Sequence, residues 1–320
     1  MVFKLKGNDV IREQDIEVTE SLIGIYGYNN SGKTTILKEL DKVIDEENIK
    51  CIVNDGEYIR SLFIPTNRVI VRQAHTSSTP IKDIEEFLAY KKDSYNEFDL
   101  HLKVIRENML GNSAVKQVIK NAILYMFGED YEFDFDRRQS DGVENIINIY
   151  CSIIWLFTWD KDIEDIKYDR LKQLLCDTSA VVMIDEIEAF LHVYVQSRML
   201  QKFKEDFSKC SFVFTTHSPL LLSRYYNIRK FQLDNGILNE INADLYYKDL
   251  DNIYEVYFNV EEFPKEAGEI INRLGDYICG EEYNRDVIVK DLEILNEQYA
   301  NVKAKYPGLV AKAEVKLGVE

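Results

Sequence analysis

The stretch Gly27–Thr35 reads GYNNSGKTT and directly follows an apolar run, Leu22–Tyr26. It fits the pattern G-x4-G-K-[ST], in which a glycine-rich loop and the start of a helix surround phosphate groups. The apolar run predicts a buried strand, and the apolar residues after the loop share one face of a helix: Ile36, Leu37, Leu40, Val43 and Ile44. This order of strand, loop and helix predicts a P-loop; the alternative is a Gly-Lys turn before an unrelated helix.

The residue types in this loop suit a nucleoside triphosphate. Several backbone N–H groups must converge on the phosphate oxygens, and Gly27 and Gly32 permit that geometry because they carry no Cβ. We expect Lys33 to reach the β- and γ-phosphates and the hydroxyl of Thr34 to bind Mg²⁺. The predicted cofactors are therefore ATP and Mg²⁺, and the predicted nucleotide-binding residues of the loop are Gly27, Asn29, Asn30, Ser31, Gly32, Lys33, Thr34 and Thr35.

A second apolar run, Ala180–Ile184, predicts another buried strand and ends in Asp185 and Glu186. Adjacent side chains at a strand end diverge, so one carboxylate can hold Mg²⁺ while the other orients the attacking water. We assign Asp185 to the metal and Glu186 to the general base. The alternative is a strand that runs into an acidic helix, since Glu188 continues the charge.

A third apolar run, Ser211–Thr215, follows a stretch with a helical pattern from Phe190 to Phe207. It leads into Thr216, His217, Ser218 and Pro219. A lone histidine after a strand is usually structural. Here we expect the strand to lie beside the one that carries the two carboxylates, so the imidazole of His217 is predicted to reach the γ-phosphate as a catalytic group.

Farther along the chain, Asn235-Gly236 predicts a type I′ hairpin.

Composition and charge narrow the classes of function. The 320 residues are 46% hydrophobic and 30% charged, which is typical of a globular protein with a sizeable core. The net charge of −17 disfavours a broad surface for nucleic acid. The five cysteines are scattered without a C-x-x-C pair and are read as reduced thiols. Because neither a signal peptide nor a membrane-length apolar run is evident, we expect a cytoplasmic protein with no membrane partner.

Four ordered motifs resemble the head of an ABC-type ATPase, in the soluble branch of SMC-like, RecF-like and OLD-like proteins. They are the P-loop GYNNSGKTT, the Walker B run VVMIDEIEAFLH, the histidine run FVFTTHSP, and QSDGVE at 139–144, which looks like a degenerate ABC signature. In such heads the signature Ser and Gly bind the γ-phosphate of ATP held by the other subunit. The resemblance therefore implies that Ser140 and Gly142 bind nucleotide across a homodimer or a higher homo-oligomer. The alternative is a polar loop before a helix that starts near Val143.

The form of the motifs differs from that of transporter ATPases. Transporters usually continue Walker B with D-E-P and a Leu-Asp D-loop, whereas this chain has DEIEAFLH, which with TTHSP resembles OLD-like and anti-phage ATPases. Val193 stands where the family usually has Pro, and a D-loop aspartate is not evident, which puts coupling between two ATP sites in doubt. The segment Leu62–Arg68 resembles the Q-loop region, and either Gln73 or Asn67 could sense Mg²⁺; we name Gln73 as the third metal residue beside Thr34 and Asp185.

The resemblance and the patterns together predict the organisation of the chain. The fold class is α/β: a P-loop NTPase head of ABC type with a mixed core sheet, an N-terminal antiparallel β-subdomain, a helical signature lobe and a helical C-terminal extension. The β-subdomain is expected from strands at Phe3–Lys6 and Asp15–Val18, and the helical lobe spans about 75–178. The ATPase domain is predicted over 1–245 and the extension over 246–320. In the extension, a helix is predicted over Asp286–Val302, and another helix is predicted from apolar residues that share one face: Ala267, Ile270, Ile271, Leu274 and Ile278.

Three functions compete on these motifs. The first is an ATP-hydrolysing switch that dimerises around ATP and controls an effector protein encoded nearby, with anti-phage defence implied by the resemblance. The second is a RecF-like clamp on DNA, a partner that the net charge does not favour. The third is a non-catalytic scaffold with structural ATP, against which the intact motifs argue. A nuclease in the same chain is not expected, because no Glu-Gly pair of a Toprim domain follows His217.

Overall fold

The computed structural model describes residues 1–18, 22–53, 59–66, 102, 105–161, 163–223, 225, 227–241, 264–280, 283–299, 302 and 306–318. The chain divides into two compact units, Met1–Leu250 and Asp251–Glu320. The predicted domain ranges stay predictions, because the boundary between them falls outside the described residues.

The centre of the first unit is a sheet of six described strands. In chain order these are β3 (Leu22–Tyr26), β4 (Ser61–Ile64), β5 (Ala180–Ile184), β6 (Cys210–Thr216), β7 (Arg229–Asp234) and β8 (Ile237–Glu240). Their order across the sheet is β4-β5-β6-β3-β7-β8, with parallel pairs as far as β7 and an antiparallel pair between β7 and β8. The predicted mixed core sheet is confirmed.

A separate antiparallel pair precedes this sheet. It consists of β1 (Val2–Leu5) and β2 (Gln14–Glu17), paired from Val2 with Glu17 to Leu5 with Gln14. The predicted N-terminal antiparallel subdomain is therefore confirmed, with each strand starting one residue earlier than the sequence pattern suggested.

Helices cover both faces of the sheet. They are α1 (Lys33–Val53), α2 (residues 105–111), α3 (Ser113–Phe127), α4 (Asp141–Thr158), α5 (Tyr168–Asp177), α6 (Val193–Asp206) and α7 (Pro219–Ser223). Alternate residues of a strand face opposite sides, so β5 contributes Val181 and Met183 to the core under α1 and Val182 and Ile184 to the core under the other helices. β3 and β5 are buried along their whole length, as central strands of a covered parallel sheet should be.

The helix α4 is buried along nearly its whole length. Its stretch VENIINIYCSIIWLFT is mostly apolar, and its buried residues lie on all sides, which is the pattern of a helix enclosed by other elements. Polar side chains of this buried helix have hydrogen-bond partners: Ser152 and Thr158 each donate to the carbonyl four residues earlier, and the hydroxyl of Tyr150 donates to Asp206 on α6 at 2.7 Å. The helix therefore anchors the helical layer, with its N-terminus at the predicted signature.

The predicted hairpin between β7 and β8 is confirmed. Asn235 and Gly236 have φ angles of 47° and 76°, and Asp234 pairs with Ile237 across the turn. Positive φ at both central residues defines a type I′ turn. The β1–β2 loop packs on this turn, since the backbone N–H of Arg12 donates to the carbonyl of Gly236 at 3.0 Å.

The second unit has an apolar core of its own. It contains α8 (Lys265–Cys279), α9 (Arg285–Glu297) and α10 (Pro307–Leu317), which bury Ala267, Ile270, Leu274, Ile288, Leu292, Leu295, Val310, Ala313 and Leu317. The guanidinium of Arg273 on α8 donates to both carboxylate oxygens of Asp291 on α9 at 2.8 Å. The predicted helical face from Ala267 to Ile278 is confirmed.

Some boundaries differ from the sequence patterns. The helix expected from Phe190 begins only at Val193, because Phe190 adopts a left-handed φ of 65° and His192 accepts from the N–H of Tyr194 as the N-cap. The helix expected over 286–302 ends at Glu297. Asn67, Gln73 and most of the first third of the predicted helical lobe lie outside the described residues. Within the described part of the chain, no helix combines the length and hydropathy needed to cross a membrane.

Candidate nucleotide-binding site

The predicted site lies where neighbouring parallel strands end. β4, β5, β6 and β3 are adjacent and point the same way, so the residues that follow them meet at one edge of the sheet. The P-loop follows β3, Asp185 follows β5 and His217 follows β6. Ligands of open α/β sheets bind at this carboxyl edge.

The P-loop is shaped by backbone conformations that suit few residue types. Asn30 and Gly32 have φ angles of 62° and 98°, a region that Gly and Asn tolerate best. The N–H of Ser31 donates to the carbonyl of Tyr28 at 3.2 Å. A Cβ at Gly27 would come within 2.7 Å of the carbonyl oxygen of Leu233, so the loop can pass this close to β7 only with glycine. Asn29 and Asn30 are exposed on the loop, while Ser31, Gly32 and Thr35 are partly exposed.

Lys33 begins α1 and folds its ammonium group back over the loop. Its Nζ donates to the carbonyls of Gly27 and Tyr28, both at 2.9 Å, although the residue is only 7% exposed. Burial lowers the pKa of Lys33, and the nearby carboxylates of Glu186, Asp185 and Glu188 oppose that effect. The ammonium group is thus held in the concave side of the loop, beside the acidic residues that follow β5.

Asp185 connects the P-loop to the sheet. Among the described residues three hydroxyl groups donate to its carboxylate: Thr34 to Oδ2 at 2.7 Å, Thr66 to Oδ2 at 3.0 Å and Thr215 to Oδ1 at 2.6 Å. These donors come from α1, from the end of β4 and from β6. Two of the three residues predicted to bind Mg²⁺, Thr34 and Asp185, are therefore in direct contact, and the third, Gln73, lies outside the described residues.

Glu186 is held in an uncommon backbone conformation. Its φ is 43°, and its N–H donates to the hydroxyl of Thr215 at 2.7 Å. Its side chain is 41% exposed, and its Oε1 lies 4.0 Å from Nε2 of His217, whose side chain is 36% exposed. A left-handed glutamate is costly and clusters at functional sites. The structure thus brings the predicted base and the predicted histidine together at the open side of the site.

The predicted signature residues, Ser140 and Gly142, lie at the N-terminus of α4, which packs on the turn after β5. Ser140 caps α4, and Gly142 packs against the backbone of Phe190, where a Cβ would come within 2.7 Å of the Phe190 carbonyl oxygen. The side-chain amide of Asn145 donates to the carbonyl of Ala189 at 2.7 Å. The requirement for glycine at 142 is thus explained by packing on the turn that follows Asp185, and Ser140 remains exposed beside it.

Sequence reasoning missed three residues of the site: Thr66, Thr215 and Glu188. Thr66 and Thr215 donate to Asp185, and Glu188 accepts a hydrogen bond from the backbone N–H of His217 at 2.5 Å. Their positions in the chain could have identified them. Thr66 follows β4, Thr215 lies at the end of β6, and Glu188 follows β5. Such ends carry the ligand-binding residues in α/β sheets.

The donor set fits a magnesium-bound nucleoside triphosphate. The buried hydroxyl oxygen of Ser31 has no hydrogen-bond partner among the described residues, and it lies 2.8 Å from the position that a Cβ on Gly27 would take. Hydroxyl and carboxylate oxygens, as in Thr34 and Asp185, are the hard ligands that Mg²⁺ prefers. The loop therefore offers cationic, amide and hydroxyl donors to phosphate, and oxygen ligands to the metal.

Residues 171–223 match a family model described as "AAA domain, putative AbiEii toxin, Type IV TA system". The chain is 23% identical over 176 residues to a protein named "Retron Ec83 probable ATPase" from Escherichia coli, covering 48% of this chain and 32% of that protein. It is 27% identical over 213 residues to "Septu protein PtuA" from Bacillus mycoides (strain KBAB4), covering 57% of this chain and 29% of that protein. The chain thus spans about a third of the length of these two relatives.

Solved structures with a similar arrangement include an inward-facing metal-chelate type ABC transporter, with a TM-score of 0.40, 15% identity and coverage of 81% of this chain and 88% of that one. A dimeric bacterial ABC transporter cassette gives a TM-score of 0.40 at 11% identity, covering 76% of this chain and 97% of the cassette. The matched family model describes an AAA domain, and one of the two relatives is named as a probable ATPase, so over these segments the chain is similar to ATPases. The finer assignment to an OLD-like branch stays a prediction.

Proposed function

We propose that this chain binds ATP with Mg²⁺ at the P-loop and hydrolyses it to ADP and phosphate. The observation that carries the proposal is the Asp185 carboxylate, which joins the P-loop threonine, Thr34, to the strand that presents Glu186. Lys33 would neutralise the β- and γ-phosphates, and Thr34 and Asp185 would hold Mg²⁺ and its water shell. Glu186 would accept the proton of the attacking water, with His217 beside it at the γ-phosphate.

Replacing Glu186 with glutamine tests this assignment. Glu186→Gln keeps the shape of the side chain and removes the base, so we expect ATP binding to persist and turnover to fall by about 10²-fold or more. Binding of a fluorescent ATP analogue and release of phosphate measure the two properties. Glu129→Gln, at an exposed glutamate after α3, is the matched control and should turn over ATP as the parent protein does. Wild-type turnover in Glu186→Gln would contradict the role of Glu186.

We further propose that ATP binding drives assembly of two copies and that this assembly controls a partner effector, in anti-phage defence. The motifs of this chain resemble heads that close around ATP, and two relatives carry the names of a retron and of Septu. Ser140 is exposed at the N-terminus of α4. The N–H groups at such a helix end can donate to the γ-phosphate of ATP that a second copy of the chain holds. The neighbouring gene tests this part of the proposal: a small toxin, nuclease or reverse transcriptase beside this gene supports a role in defence, and replication or repair genes contradict it.

Light scattering after size exclusion tests the assembly. In the Glu186→Gln background, ATP and Mg²⁺ should double the molar mass, because the slow variant holds ATP at the interface. Adding Ser140→Arg should prevent the increase in mass while leaving binding of the ATP analogue intact, because the arginine occupies the exposed cap and not the P-loop. A monomer at saturating ATP would rule out the dimer and leave the ATPase assignment standing.

A further inference from the structure

Glu188 is a partly buried residue whose carboxylate the proposed chemistry does not use. Its Oε1 accepts a hydrogen bond from the backbone N–H of His217 at 2.5 Å, and the hydroxyl of Thr216 also donates to the carboxylate. Its Oε2 is buried and has no hydrogen-bond partner among the described residues. Burial raises the pKa of Glu188, and the bonds from His217 and Thr216 oppose that effect. A buried carboxylate oxygen without a hydrogen-bond partner lowers the stability of the fold. Such a group in a native protein calls for a functional explanation.

The turn after β5 is joined to the end of β6 by a short series of hydrogen bonds. The N–H of Glu186 donates to the hydroxyl of Thr215, and the N–H of Ile187 donates to the Thr215 carbonyl at 3.1 Å. Both of these bonds end at Thr215. Among the hydrogen bonds that the structure describes between this turn and β6, the bond from His217 to Glu188 is the one that reaches the histidine itself.

We propose that Glu188 is the positioning residue of His217: it holds the backbone of the histidine so that the imidazole stays beside Glu186 at the γ-phosphate position. This inference rests on the proposed ATPase function. The imidazole nitrogen lies 4.0 Å from Glu186, so a small shift of the His217 backbone would change the alignment of the two groups. Misplacement by about 1 Å can cost about 10²-fold in rate. Glu188 itself touches neither the nucleotide nor the attacking water in this scheme.

The test compares two substitutions of Glu188. Glu188→Gln keeps an oxygen that can accept from the His217 N–H, whereas Glu188→Ala removes it. We expect Glu188→Ala to lower kcat about tenfold or more with KM for ATP changed less than about threefold, because the loss of a charge-assisted bond acts on the chemical step and not on the P-loop. Glu188→Gln should restore kcat to within about threefold of the parent protein. Equal losses in both variants would contradict positioning through this bond.

A double-mutant cycle separates positioning from general damage. If Glu188 acts through His217, then Glu188→Ala should lower kcat by no more than about twofold in a protein that already carries His217→Ala. A full, additive loss in that background would overturn the inference. Asp206→Ala is the control for removal of a buried carboxylate, since Asp206 accepts from Tyr150 and Lys202 away from the site. It should lower the thermal midpoint and leave kcat unchanged.

A second readout does not depend on ATP hydrolysis. The bond to Glu188 should protect the His217 amide from hydrogen exchange in the free protein, and Glu188→Ala should speed that exchange while Glu188→Gln retains the protection. If the parent protein fails to hydrolyse ATP but the amide behaves as expected, the ATPase proposal fails and the contact stands. If the amide exchanges equally fast in the parent protein and in Glu188→Ala, the positioning inference fails whatever the ATPase activity.

Discussion

At the scale of single residues, the one hydroxyl of Thr215 contacts two acidic residues of the site, the carboxylate of Asp185 and the backbone of Glu186. The residue is fully buried, and its Oγ1 donates to Asp185 at 2.6 Å while it accepts from the N–H of Glu186 at 2.7 Å. Any change that removes the hydroxyl leaves a buried carboxylate oxygen and a backbone N–H each short of one partner. An unsatisfied buried group costs about 1–3 kcal/mol, so the hydroxyl matters more for alignment and stability than its size suggests.

Thr215→Val tests this dual role because it removes the hydroxyl with almost no change of shape. We expect the free energy of unfolding to fall by about 1–3 kcal/mol, measured by urea denaturation. We also expect kcat to fall by about tenfold, because the orientation of Glu186 depends on the same oxygen. Thr215→Ser is the matched control, since it keeps the hydroxyl and should retain both properties. A Val variant with the stability and kcat of the parent protein would show that the network is not needed.

Backbone strain is concentrated in the turn that follows β5. Glu186 and Phe190 both have positive φ, at 43° and 65°, and Gly142 packs on the backbone of Phe190. Phe190 is also 54% exposed, so the turn presents an aromatic side chain to solvent beside the start of α4. Non-glycine residues in this region each cost about 1–3 kcal/mol and persist where surrounding contacts hold them. Here those contacts are the bonds to Thr215 on one side and the packing of Gly142 on the other.

At the scale of elements, the pair Arg60–Asp160 ties the start of β4 to the end of α4. Nη2 of Arg60 lies 2.9 Å from Asp160, and its Nη1 donates to the carbonyl of Leu156 at 3.0 Å. Burial tends to raise the pKa of Asp160, but hydrogen bonds from Lys161 and Arg60 outweigh it, so the pKa lies below its usual value. A depressed pKa means that the folded state favours the carboxylate, which stabilises the fold wherever the unfolded chain would also be ionised.

Asp160→Asn should therefore destabilise the protein at neutral pH and not in acid. The contribution is present above the unfolded pKa of about 3.9 and is lost as the pH falls through the lower folded pKa. We expect a loss of about 1 kcal/mol or less at pH 7, since the aspartate is 32% exposed and solvent screens the pair. Urea denaturation of both proteins between pH 7 and pH 2.5 measures the difference. Asp177→Asn, in the more exposed pair with Lys209, is the control and should change stability little at either pH.

Several elements were predictable from the sequence because their signals are local. The apolar runs of β3, β5 and β6 and the Asn235-Gly236 turn need no knowledge of the rest of the chain. The contacts of Thr66 with Asp185 could not be read in the same way. They depend on β4 lying next to β5, although 119 residues separate Thr66 from Asp185 in the chain. The late start of α6 was equally hidden, because the left-handed Phe190 is held by tertiary packing and not by its own preference.

At the scale of the whole molecule, the two compact units have separate apolar cores. Among the described residues, the core of the second unit is formed by α8, α9 and α10 together with Val302, and the Arg273–Asp291 pair joins α8 to α9 inside that unit. Asp291 is 4% exposed, and its two oxygens accept a bidentate bond from the guanidinium. Bidentate pairs of this kind are stronger than single ion pairs, and breaking a buried one leaves polar groups without partners. A defect at Asp291 should therefore be felt first within its own unit.

Asp291→Ala tests whether the two cores unfold separately. We expect calorimetry of the parent protein to show two transitions, and the substitution to lower only the one that belongs to the C-terminal unit. A loss of about 1–2 kcal/mol corresponds to a shift of about 10 °C for a unit of this size. Lys265→Ala is the control on the same unit, because its pair with Glu269 spans 4.0 Å between exposed side chains and should contribute little. If the parent protein shows a single transition, or if both transitions move together in Asp291→Ala, the two cores do not unfold separately.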